Sequence, residues 1–399
     1  MLEYKLISAD CHVTETPETF ARVQKEYGDR APRVVENPQG LAPGLWFIVD
    51  GLEPMHVGYF GLGHVIDKPE GRRNIEMYRN SQEFRKKVND FVEGYRYDDY
   101  PEDWEPSAYL KALDRDNVES AIIFASWARY NYTQDDAKLQ RSILRSYNEW
   151  MMETFSSYAP KRLFPAPMIS ILDIDLAVAD MTDYVKRGCK TVHFPTTIIG
   201  GGYYEARYER LWAAAVDLDI PISVHANSSQ GRPMKLHGVK SREFEPRKYV
   251  VNAKRDGLGH DAAWEFVSNL MFSGVFDRHP ALKVVASEFK MADAAHTYEM
   301  IDYEMGRLAT YDPERNPWKR SPSEYLLNNC YFSFEESRSV VLTSPMYGAD
   351  NYMWASDYPH FQSVWPYSSK LVERACEGLD AVTVRKLARD NTRKVYKLP

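Results

Sequence analysis

Eight short runs of β-branched, aromatic and other apolar residues recur along the chain, separated mostly by longer stretches with helical character. Runs of this kind predict β-strands at residues 5–10, 120–126, 163–170, 190–196, 220–227, 282–289, 329–336 and 351–359. The intervening stretches predict helices, of which the clearest lie at residues 139–158, 174–188, 208–219 and 262–280. The last two helices reach the next strand through a brief loop, as expected of a βα unit. The basic stretch at residues 388–399 predicts a helix that closes the chain.

Eight strands alternating with helices predict an α/β fold of the (β/α)8 or TIM-barrel type, built as a single domain over residues 1–399. A doubly wound sheet would use a similar alternation, so the strand count alone leaves both folds open. Two connections are too long for simple loops, namely the insertion at residues 13–119 after strand one and the loop at residues 228–260 after strand five. In a barrel, both would lie over the end where catalysis occurs, as a lid or a substrate collar. The alternative is that they are surface insertions.

Composition narrows the class of protein. The 399 residues carry a formal net charge of -7, which gives no general attraction to nucleic acid or anionic membranes. No apolar run of about 18 residues predicts a membrane span, and the first residues lack the features of a signal peptide. The four cysteines lie far apart without a CxxC pair, which predicts free thiols in a reducing compartment. We therefore expect a soluble, cytoplasmic protein that acts on a small molecule and binds neither nucleic acid nor membrane.

Ionisable residues end five of the eight predicted strands, which is where barrel enzymes place their catalytic groups. Asp10 and His12 end the first strand, and alternate residues of a strand face the same side, so both can point at one ion. Cys11 between them should face the opposite way. The other strand-end candidates follow strands four, five, six and eight: His193, His225, Glu288, and Asp357 with His360 just after it.

Each of these residues also has an ordinary structural explanation. His193 would suit a hydrogen-bonded core histidine, and Glu15 an exposed loop acid. Glu288 could pair with a basic residue such as Lys290, and Asp357 could cap a helix. The joint pattern favours a shared site, because the single assumption of a barrel brings the groups together.

A cluster of imidazoles and carboxylates suits Zn, Mn or Fe, whereas no thiolate is placed to favour a soft metal. A divalent ion makes hydroxide available from bound water near neutral pH and polarises carbonyl or phenolate oxygens. The sequence therefore predicts metal-assisted chemistry on a small substrate, with Asp357 placed to take a proton from that water.

The residues resemble the amidohydrolase superfamily, specifically the amidohydrolase-2 branch that includes aminocarboxymuconate-semialdehyde and γ-resorcylate decarboxylases. The matching segments run nearly end to end, among them ISADCHVTE, GCKTVHFPT, FSGVFDRHPALKVV and MWASDYPH. The resemblance implies that Asp10 and His12 are the strand-one metal pair, that His225 is the strand-five ligand and that Asp357 is the strand-eight ligand. Glu15 fits a DxHxxE form of the first motif.

Two departures from the family pattern raise the number of available ligands. The decarboxylases have a histidine where this chain has Glu288, and His193 stands where two-metal members place a bridging group. Glu288 and His193 are therefore predicted either as acid/base groups or as ligands of a second ion, with Glu15 as a further ligand. His260 and His360 are predicted to contact the substrate or to support the ligands.

The leading hypothesis is a metal-dependent hydrolase or non-oxidative decarboxylase of a small carboxylated or aromatic substrate, with one or two divalent ions per chain. The first alternative is a dinuclear Fe or Mn/Fe oxygenase resembling amine N-hydroxylating members of the branch, working with a related subunit. Its basis is the surplus of carboxylates. A non-catalytic barrel within a heteromer is the remaining alternative. By analogy we expect a homodimer, or a hetero-oligomer with a related subunit.

Overall fold

A computed structural model describes residues 2–65, 81–231, 260–289, 291, 294–311, 318–363 and 365–399. The described chain divides into two compact units. The first unit contains residues 2–168, 231 and 355–374, and the second contains residues 169–230, 260–354 and 375–399. Both are mixed α/β structures.

The core of the first unit is a parallel sheet of three strands in the order β1–β5–β6, at Leu6–Val13, Val118–Ala125 and Leu163–Pro165. Every residue of β1 is buried, as expected of a parallel strand that is covered on both faces. The helices of this unit are α1 (Ala21–Tyr27), α2 (Ser81–Gly94), α3 (Pro106–Arg115) and α4 (Ala137–Met151). Asp136 caps α4 by accepting hydrogen bonds from two backbone N–H groups of its first turn. A further helix, α12, begins at Ser368 and ends at Ala375.

The segment between β1 and β5 forms structure of its own. An antiparallel sheet joins β2 (Arg33–Glu36), β3 (Leu45–Ile48) and β4 (Met55–His56), and a 3₁₀ helix follows at Val57–His64. Leu62 and Val65 form a small apolar cluster with Val88 and Val92 of α2. This cluster fixes the 3₁₀ segment against α2, so the described part of the insertion has a packed core.

The second unit contains a parallel sheet of five strands in the order β7–β9–β11–β12–β13. The strands lie at Val192–Phe194, Ile222–His225, Val284–Ser287, Cys330–Phe334 and Tyr352–Trp354. A two-stranded parallel pair, β8 (Thr197–Ile198) and β10 (Ser229–Gln230), follows the ends of β7 and β9.

Helices separate the strands of the five-stranded sheet, so that each sequential pair is joined by a crossover. They are α6 (Glu209–Asp217), α7 (His260–Phe272), α8 (Val275–Arg278), α9 (Ala294–Tyr311), α10 (Pro322–Asn329) and α11 (Arg338–Tyr347), while α5 (Ile174–Lys186) precedes β7. The chain ends with α13 (Ala381–Arg385), a π-helical turn at Lys386–Asp390 and α14 (Asn391–Val395).

All eight predicted strands occur at the predicted places, as β1, β5, β6, β7, β9, β11, β12 and β13. The predicted helix at 139–158 is α4 continued by a π-helical turn, and the one at 262–280 is interrupted where Gly274 adopts a positive φ of 76°. Within the insertion, residues 44–63 have a strand-like sequence punctuated by Gly and Pro, but their last third is 3₁₀ helix rather than strand. Residues 66–80 of the insertion and residues 232–259 of the predicted loop at 228–260 lie outside the described residues. Across the described chain, no helix combines the length and the apolar character needed to cross a bilayer.

Candidate metal centre

Asp10 and His12 are fully buried on β1 in the first unit. Their side chains meet, with 3.4 Å between His12 Nε2 and Asp10 Oδ1. Cys11 donates a hydrogen bond to the hydroxyl oxygen of Ser8, and burial raises the pKa of its thiol to about 12. The cysteine is therefore held as a neutral thiol, whereas its two neighbours in sequence form a polar pair.

The segment after β13 brings Asp357 to this pair. The backbone N–H of Asp357 donates to the carbonyl of Asp10, and the N–H of His12 donates to the carbonyl of Tyr358. Asp357 Oδ1 lies 3.3 Å from His12 Nε2, so one imidazole nitrogen faces two buried carboxylates. Asp357 has φ of 56°, in the left-handed region, which aspartate enters more readily than most residues. The backbone turn is what aims this carboxylate at His12.

His360 completes the cluster of the first unit. Its ring stacks on that of His12, with 3.7 Å between the centroids and 15° between the planes. His360 Nδ1 lies 3.5 Å from Asp357 Oδ1, and its Nε2 lies 2.7 Å from the hydroxyl of Ser126. Donor atoms of His12, Asp357 and His360 all lie within 4.8 Å of one another, a spacing that one ion can bridge.

The two carboxyl groups of this cluster differ in their affinity for protons. Burial, together with the negative charge of Asp357, raises the pKa of Asp10 well above its ordinary value, although Arg129 opposes the shift. Burial also opposes ionisation of Asp357, but hydrogen bonds and charges of His12 and His360 outweigh it and lower the pKa of that group. Like charges in a buried site resist joint ionisation. A divalent cation would remove that conflict, so the donor set fits such an ion.

Glu15, predicted as a further ligand, makes other contacts in this structure. Its carboxylate is fully buried and accepts hydrogen bonds from the backbone N–H groups of Trp127 and Ala128, at 2.9–3.0 Å. Burial raises the pKa of Glu15, while those hydrogen bonds and the charge of Arg129 oppose the shift. The carboxylate thus organises the turn that follows β5. Its assignment as a metal ligand stays a prediction.

The second unit contains a polar cluster of its own, at the ends of β9 and β11. His225 Nε2 lies 3.4 Å from Glu288 Oε2. His225 Nδ1 lies 2.9 Å from the carbonyl oxygen of Ala226; because that oxygen only accepts, Nδ1 carries the proton. In the neutral ring, Nε2 then presents its lone pair to a carboxylate. Two acceptors facing each other favour a proton or a cation between them.

Glu288 adopts a φ of 65°, which is unusual for a residue other than glycine, asparagine or aspartate. Its backbone N–H donates to the hydroxyl of Ser333, which holds the strained turn. His193 on β7 lies edge-on to His225, with 6.1 Å between the ring centroids, and its Nε2 lies 3.3 Å from the hydroxyl of Ser228. The second unit therefore groups His225 with Glu288 and places His193 beside them.

Each unit brings some of the predicted residues close together. The first unit brings together Asp10, His12, Asp357 and His360, and the second brings together His225, Glu288 and His193. The structure describes only the backbone of His260, so the predicted substrate contact of its side chain stays a prediction. That all these residues form one centre stays a prediction from the sequence.

Sequence reasoning missed Ser126, the partner of His360. It is the last residue of the predicted strand at 120–126, so its position at a strand end was the available signal. A serine in that place is too common to stand out without the histidine that it contacts.

Comparison with known proteins points to one family. A sequence profile described as amidohydrolase matches residues 9–398. A curated γ-resorcylate decarboxylase from Rhizobium radiobacter is 22% identical over 324 residues, covering 72% of this chain and 86% of that relative.

Solved structures share the fold. An amidohydrolase from Mycobacterium avium subsp. paratuberculosis K-10 superposes with a TM-score of 0.72 at 18% identity, covering 99% of this chain and 98% of that one. A dihydroxybenzoic acid decarboxylase from a Polaromonas species has a TM-score of 0.59 at 18% identity, covering 82% and 94% of the two chains. That structure contains manganese and the inhibitor 2-nitroresorcinol.

Proposed function

Because the chain belongs to the amidohydrolase-2 branch of the amidohydrolase family and is an enzyme of that superfamily, we propose that it is a metal-dependent, non-oxidative decarboxylase of a small aromatic carboxylic acid. The observation that carries the proposal is the buried group of Asp10, His12, Asp357 and His360 in a chain whose curated relatives are aromatic-acid decarboxylases.

The residues of the first unit supply imidazole nitrogen and carboxylate oxygen, a donor set that suits Mn, Zn or Fe. Manganese is the first choice, because it occupies related decarboxylases. When bound, the ion would hold an oxygen of the substrate and stabilise the negative charge that collects there. One ion per chain is the simplest stoichiometry for this cluster.

Decarboxylation breaks the bond between a ring carbon and the carboxyl carbon, and the ring carbon keeps the electron pair and takes a proton while CO2 leaves. No oxidant is needed, but an acid must reach that carbon. We assign this proton to Glu288, whose carboxyl group faces His225 Nε2, with His193 and Asp357 as the other candidate catalytic groups. Glu288 stands where decarboxylases of the branch have a histidine, so its role is the point where this chain departs from them.

The fold belongs to the same proposal. Eight parallel strands, three in one sheet and five in another, together with the likeness to solved amidohydrolases, support a (β/α)8 barrel. Hydrolysis is the second reaction that the donor set supports. The oxygenase alternative gains no support from the relatives. A homodimer stays a prediction, and light scattering of the purified protein would test it.

The experiment is loading the metal-stripped protein with Mn²⁺ and measuring CO2 release from a panel of hydroxylated benzoates, including 2,6-dihydroxybenzoate and 5-carboxyvanillate. We expect turnover that is lost in Asp357→Asn together with most of the bound manganese. Asp350→Asn is the matched control, because Asp350 is a surface residue paired with Lys386 and its side chain is 58% exposed.

Release of free carboxylic acid from esters or amides, without CO2 from any benzoate, would replace the decarboxylase by a hydrolase. An Asp357→Asn variant that kept both manganese and activity would remove Asp357 from the centre. Glu288→Gln should keep the manganese of the first unit and lose turnover.

A further inference from the structure

The solvent-facing side of α9, in the second unit, carries a stripe of large apolar side chains. Met300, Tyr303, Leu308 and Tyr311 are all exposed, and Tyr303 and Tyr311 leave 65% and 78% of their surface open to solvent. The opposite side of the same helix holds its buried residues, among them Tyr298. Single exposed apolar residues are ordinary on protein surfaces, whereas four along one face of a helix are typical of an interaction site.

Two charged residues belong to the same face. Counted from Met300, the four apolar residues together with Glu304 and Arg307 occupy positions i, i+3, i+4, i+7, i+8 and i+11, which is the spacing of one helix face. Arg307 Nη2 lies 2.6 Å from Glu304 Oε2, and about half of each of these two side chains is exposed. These six residues form the α9 seam, in which the charges lie at the centre and the apolar side chains towards the ends.

The order of residues along the α9 seam is self-complementary for a second copy that runs antiparallel. Two such helices that pack about a two-fold axis between residues 305 and 306 bring each residue opposite the one at the same distance beyond the axis. The facing pairs are then Glu304 with Arg307, Met300 with Tyr311, and Tyr303 with Leu308. A parallel pairing would instead bring each charge of the seam against its like.

We propose that the α9 seam is the interface of a homodimer, in which it packs against the α9 seam of a second copy of this chain in antiparallel orientation. The inference goes beyond the proposed reaction and assigns a surface to the predicted homodimer. It involves neither the candidate metal centre nor a substrate.

The apolar and the charged residues of the seam contribute differently. Tyrosine, methionine and arginine are enriched at protein interfaces, and burial of Tyr303 and Tyr311 between two copies supplies most of the affinity. Glu304 and Arg307 already pair within one chain, so an exchange of partners across the axis adds little free energy. The charges set the orientation, because the parallel arrangement would bring like charges together.

A stable dimer also needs enough area. Such interfaces bury roughly 800 Å² of each partner. This area exceeds what one face of an 18-residue helix, about 27 Å long, offers. Helix α9 packs against α10 and α11, which carry further exposed apolar side chains at Leu327, Leu342 and Met346. A surface of this size and composition fits a protein chain, and a seam with one cation on a chain of formal net charge -7 does not fit nucleic acid.

Sedimentation velocity of the purified protein over a range of concentrations measures the dissociation constant of the dimer. Tyr303→Glu should raise this constant at least about 30-fold, because it places a carboxylate among the apolar residues of the seam. Tyr158→Glu is the matched control, since Tyr158 is a tyrosine of similar exposure, 55%, outside the seam. Circular dichroism shows whether each variant is folded, and Tyr311→Glu is the second variant should Tyr303→Glu not fold.

Charge reversal tests whether two seams face each other. Glu304→Arg leaves two cations at the centre of the seam and Arg307→Glu leaves two anions, so each protein alone should dissociate. An equimolar mixture should associate again, because every cation then faces an anion. Mixing cannot repair a damaged fold, so recovery reports direct contact.

Thiol crosslinking tests the orientation, since all four native cysteines are buried. Met300→Cys and Tyr311→Cys proteins treated with a short bifunctional maleimide should crosslink when they are mixed and should not crosslink alone. Crosslinking of either protein with itself would overturn the antiparallel orientation.

A wild-type protein that stays monomeric at every concentration would overturn the proposal. A dimer that tolerates both Tyr303→Glu and Arg307→Glu, or one that Tyr158→Glu dissociates equally, would overturn the assignment of the surface, as would a charge-reversed mixture that does not associate. Association is measured without metal or substrate, so none of these outcomes bears on the decarboxylase proposal.

Discussion

Asp116 is a buried carboxyl group that the candidate centre does not use. It follows α3 and accepts hydrogen bonds from the backbone N–H and the hydroxyl of Ser368, at the start of α12. Burial raises the pKa of Asp116 to about 7, against a partial opposing effect of those hydrogen bonds. The carboxyl group of Asp116 therefore ionises near neutral pH, within the range where the enzyme would be assayed.

We expect Asp116 to make stability fall as the pH rises. Because its folded pKa of about 7 exceeds the ordinary value of 3.8, the folded state binds the proton more tightly, and the resulting stabilisation is present below about pH 4 and is lost through pH 7. Asp116→Asn should remove this contribution to the pH dependence of the free energy of unfolding. The substitution can also change the free energy of unfolding by an amount that is the same at every pH. Urea denaturation of both proteins at pH 5, 6, 7 and 8 measures the pH dependence; curves that stay parallel would contradict the shift.

A residue of the candidate centre could be predicted from the sequence only where its type and its position at a strand end are unusual. The sequence pointed to Asp10, His12 and Asp357 because acids and imidazoles at strand ends are uncommon. The structure places these three side chains close together, and their role as metal ligands stays a prediction. The stacking of His360 on His12 was not predictable, because it depends on the turn after Asp357. The contacts of Glu15 were not predictable either, because the backbone N–H groups that donate to its carboxylate lie more than 100 residues away in the sequence.

At the scale of elements, the 3₁₀ helix Val57–His64 contacts the turn that carries His360. Its Gly63 lies so close that an added Cβ would be 2.6 Å from the carbonyl oxygen of Pro359 and 2.8 Å from that of His360. Both are backbone atoms, so no side-chain rotation can relieve the contact. A segment of the insertion is thus built into the wall of the candidate centre.

Gly63→Ala should therefore displace the backbone of residues 359–360. We expect a loss of about 1–3 kcal/mol in stability from overpacking and a several-fold weaker affinity for Mn²⁺. Gly94→Ala is the matched control, because Gly94 is the last residue of α2 and nothing lies within 4 Å of the added Cβ. Denaturant melts and chelator competition check both variants, and a Gly63→Ala protein with unchanged affinity would separate the insertion from the centre.

The elements themselves were largely predictable. Short apolar runs rich in β-branched residues, such as VVAS and ISVH, favour buried strands, and β11 and β9 lie at these two runs. The 3₁₀ helix was missed because its sequence, VGYFGLGH, has the aromatic and apolar content of a strand, while its conformation follows from packing against α2.

At the scale of the whole molecule, the local pattern of apolar and polar residues does not determine the fold. The run of strands fits a barrel or a doubly wound sheet equally well, and the pairing of β13 with β12 or of β1 with β5 depends on contacts that no window of sequence contains. The excess negative charge is likewise a property of the whole chain. The net charge affects which partners the protein attracts, but it does not indicate the fold.

Metal binding should stabilise the whole protein. An ion that binds only the folded state at about 100 times its dissociation constant adds about 2.7 kcal/mol to the free energy of unfolding. We expect Mn²⁺ to raise the thermal midpoint and a chelator to lower it, with Asp357→Asn responding to neither. Differential scanning fluorimetry across a Mn²⁺ titration checks this, and an identical response of wild type and Asp357→Asn would place the binding elsewhere.

The backbone of Glu288 lies in a conformation that costs roughly 1–2 kcal/mol for a residue with a Cβ, and a glutamate has no special aptitude for it. Glycine at this position would relieve the strain, so selection for thermal stability alone would favour replacing Glu288. Directed evolution for heat resistance should therefore select substitutions of Glu288, and we expect these variants to lose activity unless turnover is selected at the same time. The same trade-off makes an untested, heat-selected variant a poor starting point for engineering this chain as a biocatalyst.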